Sequence, residues 1–216
     1  MTPVIDTEFE QYLDERRLET ARHEAGHVLI FLLRGLPFKN VEIVRAIEIE
    51  GIRVMRFVLD GEDACLGLMR NDPVAWFSQG CTMTAQDRII QALAGVAGEQ
   101  VEYEQPDWNA GDWVRAKGDL QSAREIGKIA RPIGLLRGSY LRDSFKEAWR
   151  ILRLHKAKHD ALTNALLDKS ILTYPECVEI WGTLSNEPSQ LSSAQPPMLA
   201  SIPLTRLAPR DSEEPL

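Results

Sequence analysis

The sequence of 216 residues lacks long apolar runs. Its longest uninterrupted stretch of aliphatic and aromatic side chains, Val28 to Leu33, has six members, whereas a helix needs about 20 to cross a bilayer. The first ten residues contain no basic region followed by an apolar stretch, so no secretory signal is predicted. From these two absences we expect neither a membrane span nor export.

Cysteine and positive charge are also scarce. Cys65, Cys81 and Cys177 are widely spaced and odd in number, which is typical of a reducing compartment and excludes a disulfide framework. Lys and Arg total 25 against 32 Asp and Glu, giving a net charge of −7. Such an acidic chain is poorly suited to nucleic acid or to anionic lipid. We therefore expect a cytoplasmic protein without a nucleic-acid partner.

The apolar pattern predicts a mostly helical α+β fold. A helix is expected from Asp14 to Leu33, where Arg34-Gly35 would stop it. From Val41 to Leu59 β-branched residues alternate around Glu50-Gly51, which indicates a hairpin or two paired strands. Residues 60 to 84 are rich in Gly and Asp-Pro and are expected to form a loop. Further helices are predicted at 85–104, 119–130 and 139–168, with a short one near residue 175.

The two ends of the chain differ in composition. Residues 187 to 216 hold six of the twelve prolines and little patterned hydrophobicity, so they would bury too little apolar surface to offset the entropy of ordering. We predict one domain over residues 1–186 and a Pro/Ser-rich disordered tail over 187–216. The same tail would suit a docking peptide for a partner.

One sequence motif is typical of a catalytic metal site. His23-Glu24-Ala25-Gly26-His27 is an HExxH sequence within the first predicted helix. Residues i and i+4 project from one face of a helix, so both imidazoles can reach a single zinc ion. Glu24 is then placed to act as a general base beside the metal. The alternative is a purely structural role, in which the helix is buried and its two histidines are hydrogen-bonded to carbonyl groups.

A hydrolytic zinc site needs a third protein ligand and an open fourth position. The pair His155 and His159 has the same i, i+4 spacing, but it lies in a basic stretch without an intervening Glu, which favours a solvated helix face. Spacing alone does not choose among the chemically suitable residues, which are Glu99, Asp112, Asp119, His155 and His159.

Three ordered segments resemble the peptidase domain of the FtsH-type ATP-dependent zinc metalloproteases. They are ARHEAGHVL at 21–29, AGVAGE at 94–99, and Gly118-Asp119-Leu120 followed by Ala123 and Ile126. The stretch from Ala148 to Ile171 is similar to the C-terminal helix of that family. The resemblance covers roughly residues 15 to 182. It implies a zincin-like HExxH helix with a small β-hairpin or sheet and a C-terminal helical bundle.

The resemblance also implies roles for individual residues. His23, His27 and Asp119 would bind Zn²⁺, Glu24 would be the catalytic base, and Glu99 would orient a ligand histidine. Asp119 would lie at a helix start, where backbone N–H groups favour an ionised carboxylate. Asp112 is the reserve third ligand, and a plain helix N-cap is the alternative role for Asp119.

The chain departs from the family pattern in several places. Val96 and Glu99-Gln100 stand where the family has an Arg and paired Glu residues, and the approach to the aspartate is Trp113-Val114-Arg115-Ala116. No G-x-x-x-x-G-K-[ST] phosphate loop is found in the sequence. These features imply a zinc metalloendopeptidase for flexible or unfolded polypeptides that has no ATPase of its own, unless a separate ATPase partner supplies substrate.

Two other expectations follow from the same residues. The alternative function is a catalytically retired zinc-binding module that uses the peptidase fold for interaction or regulation. Retention of Glu24 argues against it, because a structural zinc site needs no base and is usually closed by a fourth ligand. Relatives of this type form rings, so homo-oligomerisation is a further implication of the resemblance.

Overall fold

The chain folds into helices and small antiparallel sheets. The computed structural model describes residues 7–49, 52–56, 58–60, 63–65, 67–71, 84–111, 113–130 and 139–183. Its helices are α1 (Thr7–Leu33), α2 (Ala85–Glu99), α3 (Lys117–Ala130), α4 (Tyr140–Leu154), α5 (Lys156–Lys169) and α6 (Tyr174–Thr183). Its strands are β1 (Phe38–Ile43), β2 (Arg45–Ile49), β3 (Ile52–Arg56), β4 (Val58–Asp60), β5 (Asp63–Cys65), β6 (Gly67–Asn71) and β7 (Ile171–Thr173). The predicted α+β class, mostly helical, is confirmed.

Strand β1 is the centre of a three-stranded antiparallel sheet. It pairs with β6 on one side and with β7 on the other, so that Val41 lies opposite both Met69 and Leu172. Strands β2 and β3 form a separate antiparallel pair, in which Ile49 lies opposite Ile52. This pair confirms the predicted paired strands, and the turn itself at Glu50-Gly51 lies outside the described residues.

The loop predicted over residues 60 to 84 is wrong for its first part. Strand β5 pairs with β4, and β6 pairs with β1, with Gly67 opposite Ile43. Long-range pairing with β1 stabilises a segment whose local composition favours a loop. Residues 72–83 lie outside the described part of the chain.

The helix boundaries also differ from prediction. The single helix expected over 139–168 is two helices, α4 and α5, which meet at His155 with φ −107° and ψ 31°. No Gly or Pro marks this corner. At this corner the ring of Trp181 on α6 lies 5.7 Å from that of His155. Helix α2 ends at Glu99 and not at 104, whereas α1 begins seven residues earlier than expected, at Thr7.

Helix α1 is the central element of the fold. Residues 24 to 31 are all buried, which is typical of a helix with partners on every side. Helices α2 and α5 and strand β1 pack around it. The helix ends as predicted at Gly35, whose φ is +64°. The N–H of Leu36 donates to the carbonyl of Phe31 at 2.9 Å, the closing bond of a Schellman motif.

Helix α2 begins with a capping box. The backbone N–H of Asp87 donates to Thr84 Oγ1 at 3.0 Å, and the Thr84 N–H donates back to the Asp87 carboxylate at 3.3 Å. This cap fixes the start of the helix. No helix within the described part of the chain is both long and apolar enough to span a bilayer.

Gln100 fastens the loop that follows α2. Its amide donates from Nε2 to the carbonyl of Asp107 at 3.0 Å and accepts through Oε1 from the Asp107 N–H at 2.9 Å. Its own carbonyl accepts from Trp149 Nε1 of α4 at 2.9 Å. Since the side chain is only 2% exposed, an amide, which both donates and accepts, is the group that satisfies this position.

We expect Gln100→Glu to lower the free energy of unfolding by about 1–3 kcal/mol, because a carboxylate cannot donate to the Asp107 carbonyl and would be charged in a buried position. Urea unfolding of both proteins measures the difference. Gln121→Glu on the exposed face of α3 is the matched control. Equal stability of the two variants would contradict the role assigned to Gln100.

Candidate metal centre

Helix α1 presents two imidazoles to one point. His23 and His27 are one turn apart, and their Nε2 atoms are 3.2 Å from each other. Glu24 lies between them in sequence. The HExxH spacing therefore produces the shared face that it predicts.

Helix α3 supplies a carboxylate to the same point. Asp119 lies in the first turn of α3, and its Oδ2 is 3.0 Å from Nε2 of His23 and 3.4 Å from Nε2 of His27. These three side chains could hold a metal ion. Within the described residues, no other group of three or more His, Cys, Asp or Glu side chains meets that condition.

The arrangement of the three atoms suits one small divalent cation. Their separations of 3.0, 3.2 and 3.4 Å are close to those of neighbouring ligands in a tetrahedron with bonds of about 2.0–2.1 Å, which lie about 3.3 Å apart. Two imidazoles and one carboxylate are also a donor set that zinc accepts, with a fourth position left for water.

The Nδ1 atoms of His23 and His27 both donate hydrogen bonds. Nδ1 of His23 donates to Glu99 Oε1 at 2.7 Å, and Nδ1 of His27 donates to the carbonyl of Gln91 at 2.9 Å. Both acceptors are oxygens without a proton to give. The Nε2 atoms are therefore the ones available to a metal, and such outer hydrogen bonds are typical of metal-bound histidines.

Glycines allow α1 and α2 to approach closely enough for this arrangement. A Cβ at Gly95 of α2 would collide with the His23 ring, and a Cβ at Gly26 of α1 would collide with the carbonyl of Ala94. At Gly98 an added Cβ would lie 2.5 Å from the carbonyl of Arg22. Glycine is required where two backbones come this near.

Electrostatics in the cluster favours a positive charge at its centre. Burial lowers the pKa of His23, but hydrogen bonds to Asp119 and Glu99 outweigh burial and raise that pKa to about 10. Burial likewise lowers the pKa of His27, and the charge of Asp119 more than compensates and raises it. Burial raises the pKa of Asp119, while the charge of His27 and the hydrogen bond from His23 hold it well below its usual range. In the metal-free chain a proton thus occupies the position that suits a cation.

Glu24 differs from the other acidic groups of the centre. It is 6% exposed, and within the described part of the chain its carboxylate has no hydrogen-bond partner. Burial raises the pKa of the Glu24 carboxyl, against the opposing effect of the two imidazoles. A raised pKa strengthens a carboxylate as a proton acceptor, which suits a general base.

The remaining sequence candidates lie elsewhere. The expectation that His155 and His159 lie on a solvated helix face is wrong for His159, which is fully buried because α5 packs that side on α1. Its Nε2 donates to the carbonyl of Arg22 at 2.9 Å. His155 lies at the corner between α4 and α5, next to Trp181. Asp112 lies outside the described residues.

Sequence reasoning missed several residues that support the centre. The Gln91 carbonyl is a backbone group, so no residue type signals it. Arg115 donates to Glu99 Oε2 at 3.3 Å, and only its place four residues before Asp119 hints at a role. Gly95 belongs to the small-residue run of α2, where the repeated glycines were a usable signal for close helix packing.

Two comparisons with known proteins found no match. No protein-family model matches the chain, and a search of curated proteins finds none that is similar to it.

We expect Gly95→Ala to lower the free energy of unfolding by about 1–3 kcal/mol, because the new methyl group and the His23 ring cannot occupy the same space. Chemical denaturation in the presence of a chelator measures this effect. Gly182→Ala is the matched control, since a Cβ there meets nothing within 4 Å. A Gly95→Ala protein as stable as the control would contradict the described contact.

We also expect the metal-free chain to lose stability as pH rises. The raised pKa of His23 stabilises the fold fully below an unfolded value of about 6.5, and this contribution disappears as pH rises through about 10. At about 1.4 kcal/mol for each pH unit of this window, the loss should be on the order of 5 kcal/mol. Urea unfolding with chelator, compared with His23→Gln, isolates the effect. An identical pH slope in the variant would refute it.

Proposed function

We propose that the chain is a zinc-dependent metalloendopeptidase that hydrolyses peptide bonds in flexible or unfolded polypeptides. The observation that carries the proposal is the convergence of His23, His27 and Asp119 on one point with separations of 3.0 to 3.4 Å. Glu24, a buried carboxyl without a hydrogen-bond partner among the described residues, lies on the same helix. A resemblance to the FtsH-type peptidase domain in four ordered segments supports the same conclusion.

The three convergent side chains would hold the metal, and Glu24 would move the proton. When bound, zinc would lower the pKa of a water molecule and polarise the scissile carbonyl. Glu24 accepts the proton of the attacking water and returns it to the nitrogen of the leaving amine. Burial raises the pKa of the Glu24 carboxyl, which makes its carboxylate a stronger proton acceptor.

Glu99 keeps the His23 ring in the orientation that metal binding needs. Its bond to Nδ1 is 2.7 Å long and holds the proton on that nitrogen, which leaves the Nε2 lone pair for the metal. The carbonyl of Gln91 does the same for His27 at 2.9 Å. Both ligands are thus fixed before the metal arrives, which reduces the ordering that binding requires.

The substrate class follows from what these 216 residues contain. They hold no phosphate-binding loop with which ATP hydrolysis would drive unfolding. We therefore propose ATP-independent cleavage of chains that are already flexible, or delivery of folded substrates by a separate ATPase partner. A cytoplasmic location and self-association are part of the same proposal, taken from cysteine usage and from the family resemblance.

The test is cleavage of an unstructured fluorogenic protein in the presence of zinc. We expect Glu24→Gln to bind one zinc ion but to lose at least about 100-fold in kcat/KM, because the general base is removed. His27→Ala should lose both zinc and activity. Glu125→Gln, on the exposed face of α3, is the control and should cleave normally. Unchanged cleavage by Glu24→Gln would overturn the proposal, and zinc binding without cleavage by the natural chain would favour a retired zinc module.

A further inference from the structure

Arg115 connects the three helices that build the centre. It belongs to the turn at residues 113–116 that leads into α3, four residues before Asp119. Its Nη1 donates to Glu19 Oε2 on α1 at 3.1 Å, and its Nη2 donates to Glu99 Oε2 at the end of α2 at 3.3 Å. One guanidinium thus joins the segment that carries Asp119 to the two helices that position His23.

Both oxygens of Glu99 are used in this arrangement. Oε1 accepts from Nδ1 of His23 at 2.7 Å, and Oε2 accepts from Arg115. Since Glu99 is largely buried, with 13% of its side chain exposed, the guanidinium supplies the charge partner that water would otherwise supply. The carboxylate is therefore held from one side by Arg115 while it holds His23 on the other.

A second ion pair extends the connection on α1. Glu19 Oε2 accepts from Arg16 Nη1 at 2.9 Å as well as from Arg115. Glu19 and His23 are one helical turn apart, so the guanidinium of Arg115 is fixed to the same helix that carries the metal-binding motif. Arginine suits this task because its planar fork can contact two carboxylates at once, whereas a lysine provides a single point charge.

The turn does not depend on Arg115 alone for its fold. Trp113 Nε1 donates to the Trp108 carbonyl at 2.8 Å, and the two indole rings lie 4.2 Å apart, with both rings also against Phe145 of α4. Gln100 holds the same loop at Asp107. Removal of the guanidinium should therefore leave the loop folded, and its effect should appear at the metal centre.

We propose that Arg115 is a positioning residue for the metal centre. Its guanidinium holds Glu99 against His23 and keeps the segment that bears Asp119 next to α1. The inference rests on the proposed function only in requiring that the three side chains bind a divalent metal. Loss of such an outer hydrogen-bond partner typically weakens metal binding 10- to 100-fold.

The experiment measures metal affinity in the full chain. Arg115→Met removes the charge and keeps much of the length, Arg115→Lys keeps the charge without the fork, and Arg150→Met removes an exposed ion pair within α4 as the matched control. Zinc affinity is measured by competition with a chromogenic chelator, and Co²⁺ absorption reports the ligand geometry. Urea unfolding in chelator measures the fold separately.

We expect Arg115→Met to weaken zinc binding about 10- to 100-fold, with an altered Co²⁺ spectrum and smaller losses in Arg115→Lys. Arg150→Met should bind like the natural chain. Natural affinity and spectrum in Arg115→Met would overturn the inference, as would an equal loss in Arg150→Met. If Arg115→Met does not fold, Arg115→Lys decides by the same comparison.

The outcome is separable from that of the proposed function. If the natural chain binds zinc but cleaves nothing, the peptidase proposal fails while the affinities still decide the role of Arg115. If it cleaves and Arg115→Met binds zinc normally, the role of Arg115 fails and the peptidase stands. Absence of zinc binding by the natural chain would overturn both.

Discussion

The close contact between α1 and α2 is the constraint on which the rest of the centre depends. Gly26 and Gly98 face each other across the two helices, and a Cβ at Gly98 would lie 3.3 Å from the Cα of Gly26. This approach brings Glu99 and the Gln91 carbonyl within hydrogen-bond distance of the two histidines. With bulkier residues at this contact, neither ring would keep its outer hydrogen bond, and the Nε2 atoms would not converge.

The centre concentrates charge in a buried place, and this favours the binding of a cation. His23, Glu24, His27 and Asp119 are largely removed from water, and the desolvation of such groups is unfavourable unless they are paired. In the metal-free chain, the proton held between His23 and Asp119 offsets part of the unfavourable desolvation of these groups. A metal ion would offset it more fully, since it carries two charges and bonds to all three ligand atoms.

Local signals in the sequence were enough to predict most of the helices and to place His23 and His27 together. The HExxH spacing placed His23 and His27 on one face, and the family resemblance selected Asp119 from candidates that spacing left open. The structure brings those residues together. The cation and glycine at Arg34-Gly35 likewise predicted the end of α1, because helix caps depend on a few adjacent residues.

Features that depend on distant partners could not be predicted in the same way. Strand β6 exists because β1 lies beside it, and His159 is buried because α5 packs on α1. The pairing of Arg115 with Glu19 joins residues 96 positions apart. No local pattern encodes such contacts in a single sequence, since each depends on how separate elements pack.

The proposed function requires that two imidazoles and one carboxylate hold a single zinc ion and leave one position open. X-ray absorption at the zinc edge of the loaded chain tests this most directly. Stoichiometric zinc is expected in the natural chain, with four nitrogen or oxygen neighbours at about 2.0–2.1 Å, two of them imidazoles, and His27→Ala should hold no stoichiometric zinc. Sulfur at about 2.3 Å, or a zinc content unchanged by His27→Ala, would contradict the proposed ligand set.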